Sequence, residues 1–478
     1  MNYPKIIQGG MGIAVSNWCL AREVALAGHL GVISGIALDG ILARRLQDGD
    51  PGGHMRRALK AFPFQETAKR ILDKYFVPEG SGKKYVQVPM FTVKNNNHLD
   101  ELTVAANFTE TYLAKEGHPG HIGVNYLAKV QLPTLSSIYG ALLAGIDYVI
   151  VGAGIPLEIP GILKRLSENK DASLRLSVED ADKTESFFSH FDPAALFGAK
   201  LPSLKMPRFL PIVSSNFLAT MMTKKASGPI DGLIIENHNA GGHNAPPRGK
   251  LTLDEAGEPV YGDRDAVDTE KLKELGLPFW LAGSFGTPGG LKAALKAGAA
   301  GIQVGSAFAL CRDSGIFPEL RKKIIAAVKK GDSSVFTDAE ASPTGFPFKV
   351  LKLKDTIAEK SVFEMRKKIC NLGYLRHIYK KEDGSLGYRC SAEAKESFVM
   401  KGGDPQEADQ NKCCLCNALY ATVGLSTSYA DGSIEKPLVT LGSHLDTLKE
   451  LVQTKIDFTA RDVIDYIMNG KSEPATQS

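Results

Sequence analysis

At 478 residues the chain is long enough for one large barrel with additions, or for two to three ordinary domains. Hydrophobic residues make up 43% and charged residues 23%, a globular composition that excludes a disordered chain. The formal charge of +4 is spread over 57 basic and 53 acidic residues, too balanced for a nucleic-acid or membrane-surface footprint. The N-terminus, MNYPKIIQGG, lacks a basic stretch followed by an apolar one, so no secretory signal is expected. The best membrane candidate, ALLAGIDYVIVGAGI, is too short to span a bilayer and carries Asp147 in its middle. Seven cysteines, an odd number, fit a reduced, cytoplasmic protein.

Short β-branched runs alternate with helix-like stretches through residues 1 to 330. Strands are expected at KIIQ (5–8), LGVIS (30–34), HIGVNY (121–126), DYVIV (147–151), RFLPIV (208–213), DGLII (231–235), PFWLA (278–282) and AGIQV (300–304). These runs are almost continuously apolar, as parallel strands covered on both sides must be. Between them NWCLAREVALAG (17–28), LPTLSSIYGALLAG (132–145) and TPGGLKAALKAG (287–298) read as helices, each stopped by Ala-Gly. Eight strands with intervening helices predict an α/β fold, a (β/α)₈ TIM barrel; a doubly wound open sheet has the same alternation.

Three segments exceed the minimal repeat. Residues 37 to about 97 form an insertion after the second strand, and residues 237–267 a long, polar, lid-like loop after the sixth. The barrel is expected to occupy residues 1–335, leaving 336–478 as a C-terminal extension of helices and loops that ends in a disordered KSEPATQS tail.

The strongest local signal is LAGSFGTPGGLKAALKAGAAGIQVGSAFA (281–309), strand, small-residue turn, helix, then a second strand ending in Gly305-Ser306. A barrel sets Gly283-Ser284 and Gly305-Ser306 side by side after strands seven and eight, where backbone N–H groups can approach a phosphate closely. Either pair alone could be a tight turn; two at successive strand ends point to phosphate. In IIENHNAGGHNAPPRG (234–249), Gly241 and Gly242 turn the chain after strand six and present His243 over the barrel, where barrel enzymes keep catalytic groups. His238 reads as a loop residue. IIQGGMGIAVSN (6–17) bends the first strand through Gly10, Met11 and Gly12, backbone that can lie against a planar ring. Asn125 ends the third strand, and its amide needs partners that a ring edge can supply.

Together these residues resemble the nitronate monooxygenase family, also called 2-nitropropane dioxygenases, and the related FMN-type enoyl-ACP reductases. The resemblance runs along residues 1 to about 330 through IIQGGMG, GVISG, IGVNYL, VIVGAGIP, AGGH and AGSFGTPGGLKAALKAGAAGIQVGS. It implies a TIM barrel binding one FMN at its C-terminal face, with His243 as the catalytic residue. Gly10, Met11 and Gly12 should line the isoalloxazine and Asn125 should bond its edge. Gly283, Ser284, Gly305 and Ser306 should hold the phosphate, with Gln303 nearby and Gly241 and Gly242 shaping the site. Two departures stand out: the family's glutamate before AGGH is Asn239 here, and the first phosphate turn is Gly-Ser rather than Gly-Gly. The implied reaction is oxidation of alkyl nitronates with O₂. The alternative is an NAD(P)H-dependent FMN enoyl reductase acting on an acyl thioester, of the kind found in polyunsaturated fatty acid synthases. Neither calls for a nucleic acid or membrane partner.

Cys370, Cys390, Cys413, Cys414 and Cys416 lie late in the chain, and the last three contain one C-x₂-C pair. A single pair is weak support for a metal site, and buried free thiols are the simpler expectation, with no metal assigned.

Overall fold

The computed structural model of the chain describes residues 3–408 and 412–470; the KSEPATQS tail lies outside the described residues. All eight expected runs form strands: β1 (Ile6–Gln8), β2 (Gly31–Ser34), β3 (Ile122–Leu127), β4 (Tyr148–Gly152), β5 (Arg208–Val213), β6 (Leu233–Glu236), β7 (Phe279–Ala282) and β8 (Gly301–Val304). They pair in parallel in the order β1-β8-β7-β6-β5-β4-β3-β2. A parallel bridge between Ile7 and Leu30 then joins the two ends, making a (β/α)₈ barrel rather than an open sheet.

The apolar runs divide by the strand period of two. Ile7, Val32, Tyr148, Ile150, Leu210, Ile234 and Trp280 form one buried cluster that fills the barrel. Their neighbours, among them Ile6, Ile33, Val149, Phe209 and Ile235, pack into the larger core between sheet and helices. The Ala-Gly stops act as expected: Trp18–Leu26, Thr134–Leu143 and Pro288–Lys296 end before Gly28, Gly145 and Gly298, all at positive φ.

The insertion at 37–97 contributes the helices Leu38–Gln47, His54–Ala61 and Gln65–Tyr75. A further addition escaped the sequence pattern, an antiparallel pair Ala172–Leu176 and Phe187–Phe191 between β4 and β5. Its alternating burial is that of a strand with one solvated face, a weaker signal than the continuous runs of the barrel. The C-terminal part is also less helical than expected. It carries two antiparallel pairs, Val335–Asp338 with Phe348–Leu351 and His377–Lys380 with Leu386–Arg389, besides its helices. These four-residue strands are too short to display a period.

The insertion and the C-terminal part share a second apolar core that includes Ile41, Leu99, Leu415 and Tyr420. Buried polar contacts lock them together. Tyr374 donates to Asp39 at 2.8 Å and Tyr420 donates to the Ala37 carbonyl at 2.9 Å. Burial pushes the Asp39 carboxyl up to about 6.

The closing seam is the thinnest part of the barrel, and the fully buried Gln8 side chain completes it. Val32 N–H donates to Gln8 Oε1 at 3.0 Å, and Gln8 Nε2 donates to Ser16 Oγ at 2.8 Å. Gln8→Leu leaves the Val32 N–H buried without an acceptor, which costs about 1–3 kcal/mol. Urea denaturation should show a lower midpoint for this variant; an unchanged midpoint would mean the seam does not rely on Gln8.

Candidate active site

Strand ends of the barrel converge on one cavity of about 250 Å³. Its wall takes residues from the C-terminal end of every strand, from Gly9–Gly12 after β1 and Ser34 on β2 round to Gln303–Ser306 at β8. This is the face where barrel enzymes place their chemistry.

The bend after β1 is pinned by Ser16, whose Oγ accepts from Met11 N–H at 3.0 Å and donates to the Gly9 carbonyl at 2.9 Å. That holds Gly10, Met11 and Gly12 along one side of the cavity. Gly10 is required by space: a Cβ there would lie 2.3 Å from the Asn125 Cβ. Asn125 lines the cavity from the end of β3, with its Nδ2 donating to the Tyr126 carbonyl at 3.0 Å. Across the cavity the two small-residue turns stand side by side, because β7 and β8 are paired neighbours. Gly283 and Ser284 both have positive φ. The Ser306 hydroxyl accepts from Gly442 N–H at 2.8 Å. Gln303 enters from β8, and its Oε1 is buried with no hydrogen-bond partner among the described residues. An acceptor left this way next to a cavity calls for a donor from whatever fills it.

His243 reaches the same cavity from the loop after β6. Its ring packs edge-on against Phe348, with centroids 4.9 Å apart, and Nε2 lies 2.7 Å from Ser342 Oγ. Ser342 Oγ is 2.8 Å from Thr344 Oγ1, which accepts from Lys129 Nζ at 3.2 Å. A polar chain therefore runs from His243 through two hydroxyls to a lysine. Enclosure by protein lowers the His243 pKa well below the usual imidazole value, and the Lys129 charge lowers it further. Burial also brings Lys129 down to about 7. Both causes hold His243 toward the neutral imidazole, the form that can accept a proton. His238 stays outside this wall, stacked on Tyr261 at 4.1 Å.

All twelve residues singled out from sequence line this one cavity. Others went unnoticed. Glu236 is the last residue of β6 and faces the cavity, where burial pushes its carboxyl up to about 7. Its position at a strand end was visible in the sequence, masked by the histidine seven residues on. Ser342, Thr344, Thr440 and Lys129 carry no local signal, since they meet the site only through the fold.

The arrangement is that of a barrel enzyme with its site at the C-terminal face. Residues 203–345 match the family model described as nitronate monooxygenase. A Bacillus subtilis protein described as a probable nitronate monooxygenase is 36% identical over 98 residues, 20% of this chain and 26% of its own length. A Mycobacterium tuberculosis protein described as (3aS,4S,5R,7aS)-5-hydroxy-7a-methyl-1-oxo-octahydro-1H-indene-4-carboxyl-CoA dehydrogenase is 28% identical over 141 residues, 30% of this chain and 35% of its own. The chain therefore matches only about a quarter to a third of the length of these relatives. Among solved structures, FabK from Thermotoga maritima aligns over 98% of this chain and 92% of its own, with 17% identity and a TM-score of 0.48. Among the described residues, no helix is long and apolar enough to cross a membrane.

The Glu236 environment has a measurable consequence. Its folded-state pKa lies above the ordinary 4.5, so its contribution to stability is fully present below that value and is lost as pH rises through about 7. Glu236→Gln should melt at the same temperature as the parent in acid and increasingly above it from pH 5 to pH 8. A melting difference independent of pH would show that the carboxyl is not perturbed.

Proposed function

We propose that the chain is an FMN-dependent oxidoreductase that oxidises alkyl nitronates with O₂, using His243 as its acid–base residue. The observation that carries this is a neutral histidine facing the same cavity as two adjacent small-residue turns and an orphaned carboxamide. These residues fit a flavin mononucleotide. Gly10, Met11 and Gly12 line the side of the cavity where a flat ring would lie, and Asn125 and Gln303 offer amides to its polar edge. Gly283, Ser284, Gly305 and Ser306 would hold the phosphate through backbone N–H groups and hydroxyls. The bound cofactor would supply the electron acceptance and oxygen reactivity that no side chain of this chain has.

The protein's own part is binding and proton handling. Where the substrate arrives as the neutral nitroalkane, His243 accepts the proton alpha to the nitro group, the C–H bond breaks, and its electron pair remains with the substrate as the nitronate that is then oxidised. Ser342 fixes the ring through Nε2, and the hydroxyl chain to Lys129 gives that proton a route away from the cavity. A base of this kind contributes typically ~10²–10⁴-fold. His243→Ala should keep its flavin and lose turnover by about that factor. Flavin absorbance checks the first half and steady-state rates on neutral 1-nitropropane the second, with propyl nitronate, which has already lost that proton, as the control; full activity of the variant on the nitroalkane would remove His243 from the chemistry.

A second reading is an NAD(P)H-dependent enoyl reductase acting on an acyl thioester. It is favoured by a cavity of about 420 Å³ that shares Ala153, Tyr374 and Leu375 with the first. Arg376 lines it beside Lys129, a cation suited to a long anionic substrate. There His243 would protonate or polarise the carbonyl side. Anaerobic mixing of the purified protein with propyl nitronate, NADH and NADPH in turn separates the two. Flavin bleaching by the nitronate alone supports the oxidase, and bleaching by a nicotinamide supports the reductase.

A further inference from the structure

The second cavity has an amine in its wall. Lys129 follows β3 and is the one lysine among the described residues that line either cavity. Its Nζ donates to Thr344 Oγ1 at 3.2 Å and lies 3.8 Å from the centre of the Phe346 ring. Phe91, Leu132, Pro133 and Ile155 share the wall, apolar surface that gives an ammonium nothing in exchange for water. The charged residues of the same wall have other partners. Glu179 accepts from Arg389 Nη2 at 2.7 Å and also bonds His377. Arg376 donates to the Phe91 carbonyl at 2.6 Å and to the Gly373 carbonyl at 3.2 Å. Among the described residues Lys129 therefore forms no ion pair, and burial brings its amine down to about 7.

An uncharged amine in an apolar cavity is a nucleophile, and this one has a proton carrier attached. Thr344 Oγ1 lies 2.8 Å from Ser342 Oγ, which lies 2.7 Å from His243 Nε2. Condensation with a carbonyl group needs protons moved from nitrogen to oxygen, which such a chain of hydroxyls and imidazole can do. We propose that Lys129 is a covalent carbonyl-binding site, forming an imine with aldehydes whose alkyl chain lies in the second cavity. Nζ attacks the carbonyl carbon with its lone pair and passes one proton to the oxygen, giving a carbinolamine. The second amine proton follows as that oxygen departs as water, and a C=N bond remains. Nothing is oxidised or reduced, and water reverses the step. The site goes beyond both reactions considered above, since it uses neither flavin, O₂ nor a nicotinamide.

The test is reductive trapping on the full chain as purified, at pH 7, with hexanal and cyanoborohydride, read by mass spectrometry of its peptides. Hydride adds to the imine carbon and fixes the chain as a hexylamine. The initial rate at Lys129 should exceed that at Lys360, whose side chain is 88% exposed, by about tenfold or more, because an exposed amine is almost wholly protonated at this pH. Hexanal should label Lys129 about tenfold or more faster than acetaldehyde, its extra methylenes being buried against the apolar wall, whereas Lys360 should not distinguish the two. Lys360 labelled as fast as Lys129 overturns the proposal. So does a Lys129 that takes both aldehydes at one rate. Neither readout depends on bound flavin or on turnover, so failure here and failure of the oxidoreductase reading are separate results.

Discussion

The site depends on one piece of chain pairing. The loop that carries His243 is held by the C-terminal part of the protein, as if it were an extra strand. Lys349 N–H donates to the Gly242 carbonyl and Asn244 N–H to the Pro347 carbonyl, both at 2.9 Å, while Gly242 N–H donates to Thr440 Oγ1 at 2.7 Å. His243 and Phe348 thereby form an antiparallel bridge. Gly241 is what allows this, since a Cβ there would stand 2.9 Å from the backbone carbonyl carbon of Leu441. Backbone on both sides of the imidazole is fixed, and Ser342 fixes its plane. A histidine on an untethered polar loop would have none of this preorganisation.

The same roof sets the electrostatics. Glu236, Lys129 and His243 lie on three different segments, yet all are shifted in the direction of their neutral forms, and desolvation is the first cause for each. Among the described residues no carboxylate accepts from the Lys129 amine; it meets the Thr344 hydroxyl and the face of Phe346 at 3.8 Å. Covering the barrel mouth with a second apolar core therefore does two things at once. It keeps water from the cavity, and it moves a carboxyl and an amine to about 7, where proton transfer costs least.

The barrel and the wall of its cavity were legible in the sequence because both are local. Apolar runs of four to six residues ending in Gly or Ser mark strand ends one by one, and barrel closure then gathers those ends without any further information. The partners of His243 were not legible. Ser342 is 99 residues away from it, and Lys129 meets Thr344 across 215. Nothing in SPTGF distinguishes a hydroxyl that orients an imidazole from one in an ordinary turn. Additions with one solvated face, such as Ala172–Leu176, were lost because four or five alternating residues are too few to stand out.

The family match ends at residue 345, just after Ser342 and Thr344 and just before Phe348. It therefore covers the β6 loop, both small-residue turns and the hydroxyls beside His243, but not the strand Phe348–Leu351, nor Thr440 and Gly442. The chemistry of the cavity floor can be shared across a family while its roof is not. Here the roof comes from the insertion at 37–97 and the C-terminal part, and these also line the adjoining cavity through Phe91, Arg376 and Tyr388. The surfaces around the mouth of the site lie outside the matched region, so the match at residues 203–345 says more about the cavity floor than about what enters it. Because the roof also holds the histidine, no change can be made there without touching the geometry around His243.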